Sequence, residues 1–247
     1  MKPSFGNLKQ STFDTNRRQE YVTDLFDDLA PNYDRFNRWV SFYRDEAWRS
    51  QTVALLKQQK NGTILDLAAG TGDLANSCHR AGAKQVHVFD ISHNMLTVAK
   101  QKLMATDTQN SFLFAQGSAH KLPFKDETFN GVVSGFAMRN VFHFLDEVLL
   151  EIHRTLKPHG RFAILELTQP KNPILNFGFR LHMKIIMPLI GKMTVGKTRP
   201  FNYLRQTTLT FLSPEEFKLR IEKSGFINVG WKTFLLGGIA VHYGEKP

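Results

Sequence analysis

The chain carries a single cysteine, Cys78. One thiol excludes an intramolecular disulfide and any cysteine-rich metal site, and Cys78 reads as a packing residue of the helix expected around it. The histidines are scattered without the spacing of metal ligands, so no metal is expected. Acidic residues are scarce, 22 Asp and Glu against 32 Lys and Arg, which leaves a net charge of +10. That balance favours an anionic partner, either nucleic acid or an anionic membrane face, and charge alone does not choose between them. No uninterrupted apolar run reaches the roughly 18–20 residues that a bilayer crossing needs. Met1–Arg18 lacks the apolar stretch of a signal peptide, and its arginines are too sparse for a transit peptide. A cytoplasmic, reducing setting is the expectation. Internal repeats and low-complexity segments are lacking as well.

What is present is the pattern of one α/β domain over residues 1–247. Residues 1–20 are polar and read as flexible. From Phe26 the apolar spacing is helical through Leu29, Ala30, Tyr33 and Val40, with Pro31 dividing it into two short helices. A helix over Glu46–Gln59 follows and stops at Asn61-Gly62. The centre alternates. Strands are predicted at Thr63–Ala68, Gln85–Asp90, Ser111–Gln116, Gly131–Gly135 and Arg161–Glu166, with helices at Gly72–Ala81, Asn94–Met104 and Leu145–Leu156. Alternation at these lengths implies a mainly parallel sheet with helices on both faces. A helix over Pro214–Ser224 and strands near Asn228–Leu235 and Ile239–Gly244 complete the pattern.

In an open α/β sheet, ligands bind beyond the carboxyl ends of the strands. Four features fall there. Gly70 and Gly72 follow the first strand, where missing side chains let the backbone approach a ligand. Asp90 ends the second strand and can accept hydrogen bonds from ribose hydroxyls. Gln116-Gly117-Ser118-Ala119 ends the third, and Ser134-Gly135 the fourth. A pyrophosphate site wants Gly-x-Gly-x-x-Gly, whereas Gly70-Thr71-Gly72-Asp73-Leu74-Ala75 ends on alanine and carries Asp73, with Asp66 just upstream. Those carboxylates suit a zwitterionic amino acid bearing a sulfonium better than they suit phosphates. Asp73 capping the next helix is the plainer alternative.

Leu65–Leu74, Phe89-Asp90-Ile91-Ser92, Leu122-Pro123-Phe124 with Phe129, and Leu156-Lys157-Pro158-His159-Gly160 resemble the successive motifs of class I methyltransferases. More narrowly, residues 24–247 resemble the ubiquinone/menaquinone C-methyltransferase family. The segments that carry this are Phe26 with Ala30-Pro31-Asn32-Tyr33-Asp34 and Asn37, Trp48-Arg49, Met138-Arg139-Asn140-Val141, Tyr203-Leu204, and Gly238 through His242 to Gly244. The resemblance implies a Rossmann-like fold with an N-terminal helical lid over residues 21–60, and S-adenosylmethionine as cofactor. It also implies methyl transfer to a ring carbon of a prenylated quinol, in ubiquinone or menaquinone biosynthesis. On the same basis Asp66, Ala68, Gly70, Thr71, Gly72, Asp90, Ile91, Met95, Gly117, Ser118, Ala119, Ser134 and Tyr33 are assigned to the cofactor, and Arg139, Asn140 and Tyr203 to catalysis. The chain departs from the family at Tyr43, Asp45, Ala137, Met138, Phe201, Thr207 and Phe211-Leu212. These departures lie outside the cofactor motifs and bear on the acceptor.

A carbon nucleophile needs electron density, which a hydroquinone ring gains when a hydroxyl loses its proton. The fixed charge of Arg139 can stabilise that phenolate, whereas a guanidinium is a poor base. The proton carrier stays open between a water held by Arg139 and Asn140, Tyr203, and His143.

From Glu166 to Glu215 no acidic residue occurs, while Lys171, Arg180, Lys184, Lys192, Lys197, Arg199 and Arg205 fall in the same stretch. Within Ile174–Met193 the polar Asn176, Arg180 and Lys184 recur among aliphatic and aromatic residues, with a kink expected at Pro188. Residues 171–205 thus read as a basic amphipathic insertion that can lie in a lipid interface. Packing on the sheet or on a second protein is the alternative, and a homodimer or multienzyme assembly stays open. Phe177 and Phe179 sit among aliphatics rather than interleaved with exposed basic residues, which disfavours RNA. A catalytically silent cofactor-binding subunit would keep Gly70, Gly72 and Asp90 without needing Arg139 or Tyr203. The combined expectation is a lipid quinol acceptor, peripheral contact with the inner membrane, and no nucleic acid.

Overall fold

In the computed structural model, residues 15–105, 111–195 and 199–247 are described. The N-terminal expectation over residues 1–14 lies outside them, and so does Lys197. Within the segment read as flexible, residues 15–20 begin a helix. Helix α1 (Thr15–Leu29) and helix α2 (Tyr33–Val40) are separated by one tight turn over Ala30–Asn32 that holds Pro31. A proline is tolerated at the start of a helical turn because its missing N–H would have no partner there. Helix α3 (Asp45–Ala54) is shorter than expected, and Lys57–Asn61 forms a separate tight turn.

Seven strands then form one sheet: β1 (Thr63–Leu67), β2 (Gln85–Asp90), β3 (Phe112–Gln116), β4 (Phe129–Gly135), β5 (Leu156–Leu167), β6 (Ile227–Phe234) and β7 (Ile239–Glu245). Their order is β3-β2-β1-β4-β5-β7-β6. The first five run parallel, and β7 lies antiparallel between β5 and β6. Helices α4 (Asp73–Arg80), α5 (His93–Met104) and α6 (Leu145–Thr155) connect the parallel strands. Strand alternation distributes β1 between two cores. Ile64 packs with Leu74, Ala75 and Cys78 on one face, while Leu65 and Leu67 pack with Val148, Leu149 and Ile152 on the other. Cys78 is fully buried, and burial pushes its thiol well above the usual range, so it packs rather than reacts. Strand β5 is longer than its apolar run. Phe129 pairs with Leu156 and Gly131 with Arg161, so Lys157–Gly160 bulges out of the ladder with His159 at φ +61°.

The acid-free segment folds as helix α7 (Pro173–Leu181), a widened turn over His182–Ile186, and helix α8 (Met187–Val195). The widened turn lies just ahead of Pro188, whose ring cannot donate back to Lys184 and crowds its carbonyl. The interruption of regular α-helix thus falls one turn before Pro188, where the sequence placed a kink. Helix α9 (Arg199–Thr210) was not anticipated, and helix α10 (Pro214–Lys223) follows with Ser213 and Glu216 as a reciprocal cap.

Candidate active site

Sheet order reverses between β1 and β4, so a crevice opens beyond their carboxyl ends. The turn after β1 is built on left-handed backbone: Ala68, Gly70 and Gly72 have φ of +55°, +56° and +77°. At Gly72 the missing side chain does not face the crevice. A Cβ there would stand 2.8 Å from Leu103 Cδ1 and 3.3 Å from Ala99 Cβ, so glycine lets α5 close on the turn. The sequence reading of Gly72 as a point of ligand approach gains this packing reason beside it. Gly70 lines the crevice, and no atom stands closer than 3.9 Å to its would-be Cβ.

Asp90 fastens this turn to the next loop. Its Oδ2 accepts the Gly70 N–H at 2.7 Å and its Oδ1 accepts the Ser92 N–H at 2.8 Å. Burial raises its carboxyl despite these bonds. Asp66 is fully buried, and burial pushes its carboxyl up to about 8, offset in part by the nearby Ala75 amide, although neither carboxyl oxygen has a hydrogen bond among the described residues. A buried carboxylate without such bonds is costly, which marks Asp66 as waiting for a donor.

Asp73 behaves differently from its sequence reading as a charge free for a ligand. Burial alone would raise its carboxyl, yet Arg49 and Lys102 hold it below the usual range. An ion network runs from Asp45 to Arg49 (2.5 Å), Arg49 to Asp73 (3.1 Å), Asp73 to Lys102 (2.5 Å) and Lys102 to Asp34 (2.7 Å). Asp34 also accepts from Thr71 Oγ1 at 2.5 Å. With Gln19 donating to Ser118 at 3.2 Å and Ser92 to Asp27, α1 and α2 are latched to three strand-end loops.

Three cavities meet this region. One of about 60 Å³ is lined by Ala68, Asp90, Ile91, Gly117, Ser118 and Ala119, together with Asn140 and His143. A second of about 40 Å³ is lined by Asp66, Ala68, Gly70, Thr71, Asp73, Tyr33 and Arg49. The third, about 420 Å³ and mostly apolar, is lined by Tyr33, Asn37, Arg49, Phe136, Arg139 and Tyr203 among many aliphatic side chains. Tyr33, Asn37, Arg49 and Phe136 border both the second and the third, so these two cavities adjoin. Burial raises the Tyr33 phenol, against the pull of Arg139 and a hydrogen bond with Asn37.

Several assigned residues fall elsewhere. Ser134 is buried with its hydroxyl donating to the Leu67 carbonyl at 2.7 Å, and it ties β4 to β1 instead of lining a cavity. Met95 is buried against Leu29 and Ala30, where it props the α1–α2 connection over the turn. Asn140 borders the 60 Å³ cavity, away from Arg139's cavity, and its Oδ1 is buried without a hydrogen bond among the described residues. His143 lies with it. Sequence reasoning passed over Gln19 and Glu166, which carry no motif, and gave Arg49 and Asn37 no role, although the Trp48-Arg49 and Tyr33–Asn37 segments had marked them.

A buried carboxylate beside a guanidinium fits the ammonium and carboxylate of a free amino acid, and Asp90 retains lone pairs for a nucleoside's hydroxyls. With this sheet order, the site defines a class I methyltransferase that uses S-adenosylmethionine. The chain belongs to the ubiE/COQ5 methyltransferase family, whose pattern matches residues 14–246. It is 36% identical over 236 residues to a demethylmenaquinone methyltransferase of Symbiobacterium thermophilum, covering 93% of this chain and 94% of that one. With the enzyme of the same name from Staphylococcus aureus strain Newman it shares 34% over 235 residues, 94% of this chain and 96% of the other. The fold also matches a Thermotoga maritima SAM-dependent methyltransferase described as a possible histamine N-methyltransferase, with a TM-score of 0.61 at 18% identity, covering 91% of this chain and 99% of that one.

Proposed function

We propose that the chain methylates a ring carbon of a prenylated naphthoquinol, the reduced form of demethylmenaquinone. Relatives at 34–37% identity are named for that substrate, which favours a naphthoquinol over a benzoquinol. The observation that carries the reading is the 420 Å³ apolar cavity adjoining the Gly-rich turn at Tyr33, Asn37, Arg49 and Phe136. S-adenosylmethionine supplies a methyl group on a sulfonium, whose neutral thioether is a good leaving group. Asp66 and Arg49 hold the amino-acid end, Asp90 the ribose, and Ile91, Gly117, Ser118, Ala119 and Asn140 border the base. Helices α1 and α2 act as the lid, which keeps water from the transferring methyl. In the large cavity Arg139 and Tyr203 border the acceptor ring, and Arg139 favours its ionised form. Protein catalysis here is alignment plus electrostatics.

Gly178 tests the acceptor assignment. It borders the large cavity, and no atom lies within 4 Å of its would-be Cβ. Gly178→Trp should raise KM for the quinol severalfold and leave cofactor affinity unchanged. Unchanged KM would remove the acceptor from this cavity.

The acceptor is a membrane lipid, and we infer that α7 and α8 dock the enzyme on an anionic bilayer. Met183 and Met187 pack inward against Phe36 and Phe201, yet Ile174, Phe177, Leu181, Ile185, Leu189 and Met193 are exposed beside exposed Arg180, Lys184 and Lys192. Among the described residues no helix is long and apolar enough to cross a membrane.

A further inference from the structure

Arg139 does not face the large cavity as a free cation. Its Nη1 stands 2.5 Å from Glu166 Oε1, with the two side chains 4% and 2% exposed. Glu166 Oε2 also accepts the main-chain N–H of Arg139 at 3.2 Å, and Oε1 accepts the Leu167 N–H at 2.8 Å. Nη1 donates in addition to the Phe136 carbonyl at 2.5 Å, while Nε is buried without a hydrogen bond among the described residues. One carboxylate therefore grips both the backbone and the head of Arg139, which fixes its rotamer. Glu166 itself borders none of the three cavities.

We propose that Glu166 is a positioning residue for methyl transfer: it aims Arg139 at the acceptor and, by its charge, sets how readily the quinol hydroxyl ionises there. This rests on the reading that the quinol occupies the cavity bordered by Arg139. An acceptor ring on the cavity side feels the near guanidinium more strongly than the carboxylate behind it, so its phenolate is favoured by a tempered field. The pairing also lets an apolar ring enter, because a buried guanidinium without a counter-charge is strongly disfavoured. The hydroxyl proton departs to water; the bond between ring carbon and methyl would form as the methyl–sulfur bond breaks and leaves a neutral thioether, and the methylated carbon would then lose its own hydrogen as a proton to water, which restores the aromatic ring.

The test is the pH profile of kcat for the full-length enzyme at saturating S-adenosylmethionine and reduced short-chain naphthoquinol. Glu166→Gln removes the opposing charge, so the acidic limb should move to lower pH by about one unit or more, with cofactor affinity unchanged. Glu166→Asp keeps the charge and the ion pair but is too short to hold both ends of Arg139. It should lower the plateau at least severalfold and leave the limb in place. In the Arg139→Gln background there is no guanidinium left to aim, so adding Glu166→Asp should no longer lower the plateau. An unshifted limb in Glu166→Gln, an equal loss of plateau from Glu166→Asp with and without Arg139, or wild-type turnover in Glu166→Asp would each overturn the proposal. Should Glu166→Gln fail to fold, the Asp variant and the Arg139→Gln pair still decide it. Full turnover in Arg139→Gln is a separate failure, that of the acceptor reading beneath it.

Discussion

Asp66 and Asp90 are neighbours at the strand ends with different tasks, and each gives a testable consequence. Asp90 already accepts two backbone N–H groups, so its replacement unfastens Gly70 and, on the proposed reading, removes the ribose contacts as well. Asp90→Ala should weaken S-adenosylmethionine at least about a hundredfold, since each bond to a charged group contributes roughly 1.5–3 kcal/mol. Titration calorimetry measures this, and unchanged affinity would remove Asp90 from the site. Asp66, with its carboxyl near 8, is mostly protonated at pH 7 in the free protein. A bound ammonium favours the carboxylate, so cofactor binding should release a proton at pH 7 and affinity should climb as pH rises toward 8. Binding heat should be more exothermic in Tris than in phosphate; equal heats would uncouple Asp66 from the cofactor. Without cofactor the sign is reversed for folding. The folded state keeps a proton that the unfolded chain, with a carboxyl near 3.8, has lost, so this contribution to stability declines from pH 4 to pH 8. Sequence marked both carboxylates and Gly70 because strand-end chemistry is local. It gave no sign of the packing of Gly72, Ser134 and Met95, whose partners, Leu103, Leu67 and Leu29, come from other elements.

At the scale of elements, the proposed lid has its α2 end held by charge. Lys102 on α5 stands between Asp34 of α2 and Asp73 of α4, and losing it leaves two carboxylates facing one another half-buried. Lys102→Met should cost about 1–3 kcal/mol in denaturant unfolding and speed cofactor dissociation in stopped-flow. Unaltered dissociation would mean that the latch does not gate the site. Helices α7 and α8 carry the proposed docking surface. Arg180→Glu, Lys184→Glu and Lys192→Glu together should reduce cosedimentation with anionic liposomes, each charge being worth about 1 kcal/mol near such a surface, while activity on a short soluble quinol survives. Equal sedimentation would point to a protein partner for this face. The basic, apolar character of this segment was legible from composition. Its division into an inner face on Phe36 and Phe201 and an outer exposed one was not, because that depends on where α2 and α9 lie. Helix α9 itself escaped notice. Its sequence is threonine-rich and polar, and Phe201, seated against Gly191, and Tyr203, packed on Val22 and Leu25, anchor it through tertiary contacts.

For the molecule as a whole, alternating strands and helices announced a parallel sheet, since Ile64–Leu67, Val86–Asp90 and Val132–Gly135 are short apolar runs bounded by turn residues. The insertion of β7 between β5 and β6 has no local signature, because it depends on which edge the final hairpin joins. Nor does any single segment reveal the large cavity, whose wall draws on α1, α2, α3, α7, α9 and the β6–β7 connection. The cofactor half of the site is thus written along one stretch of chain, and the acceptor half is assembled from distant ones. The most direct measurement is methyl transfer from labelled S-adenosylmethionine to reduced prenylated naphthoquinol, reduced benzoquinol and bulk RNA in parallel. Label on a ring carbon of the naphthoquinol, with less on the benzoquinol and none on RNA, is the predicted result; label on RNA with unmodified quinols would contradict the account.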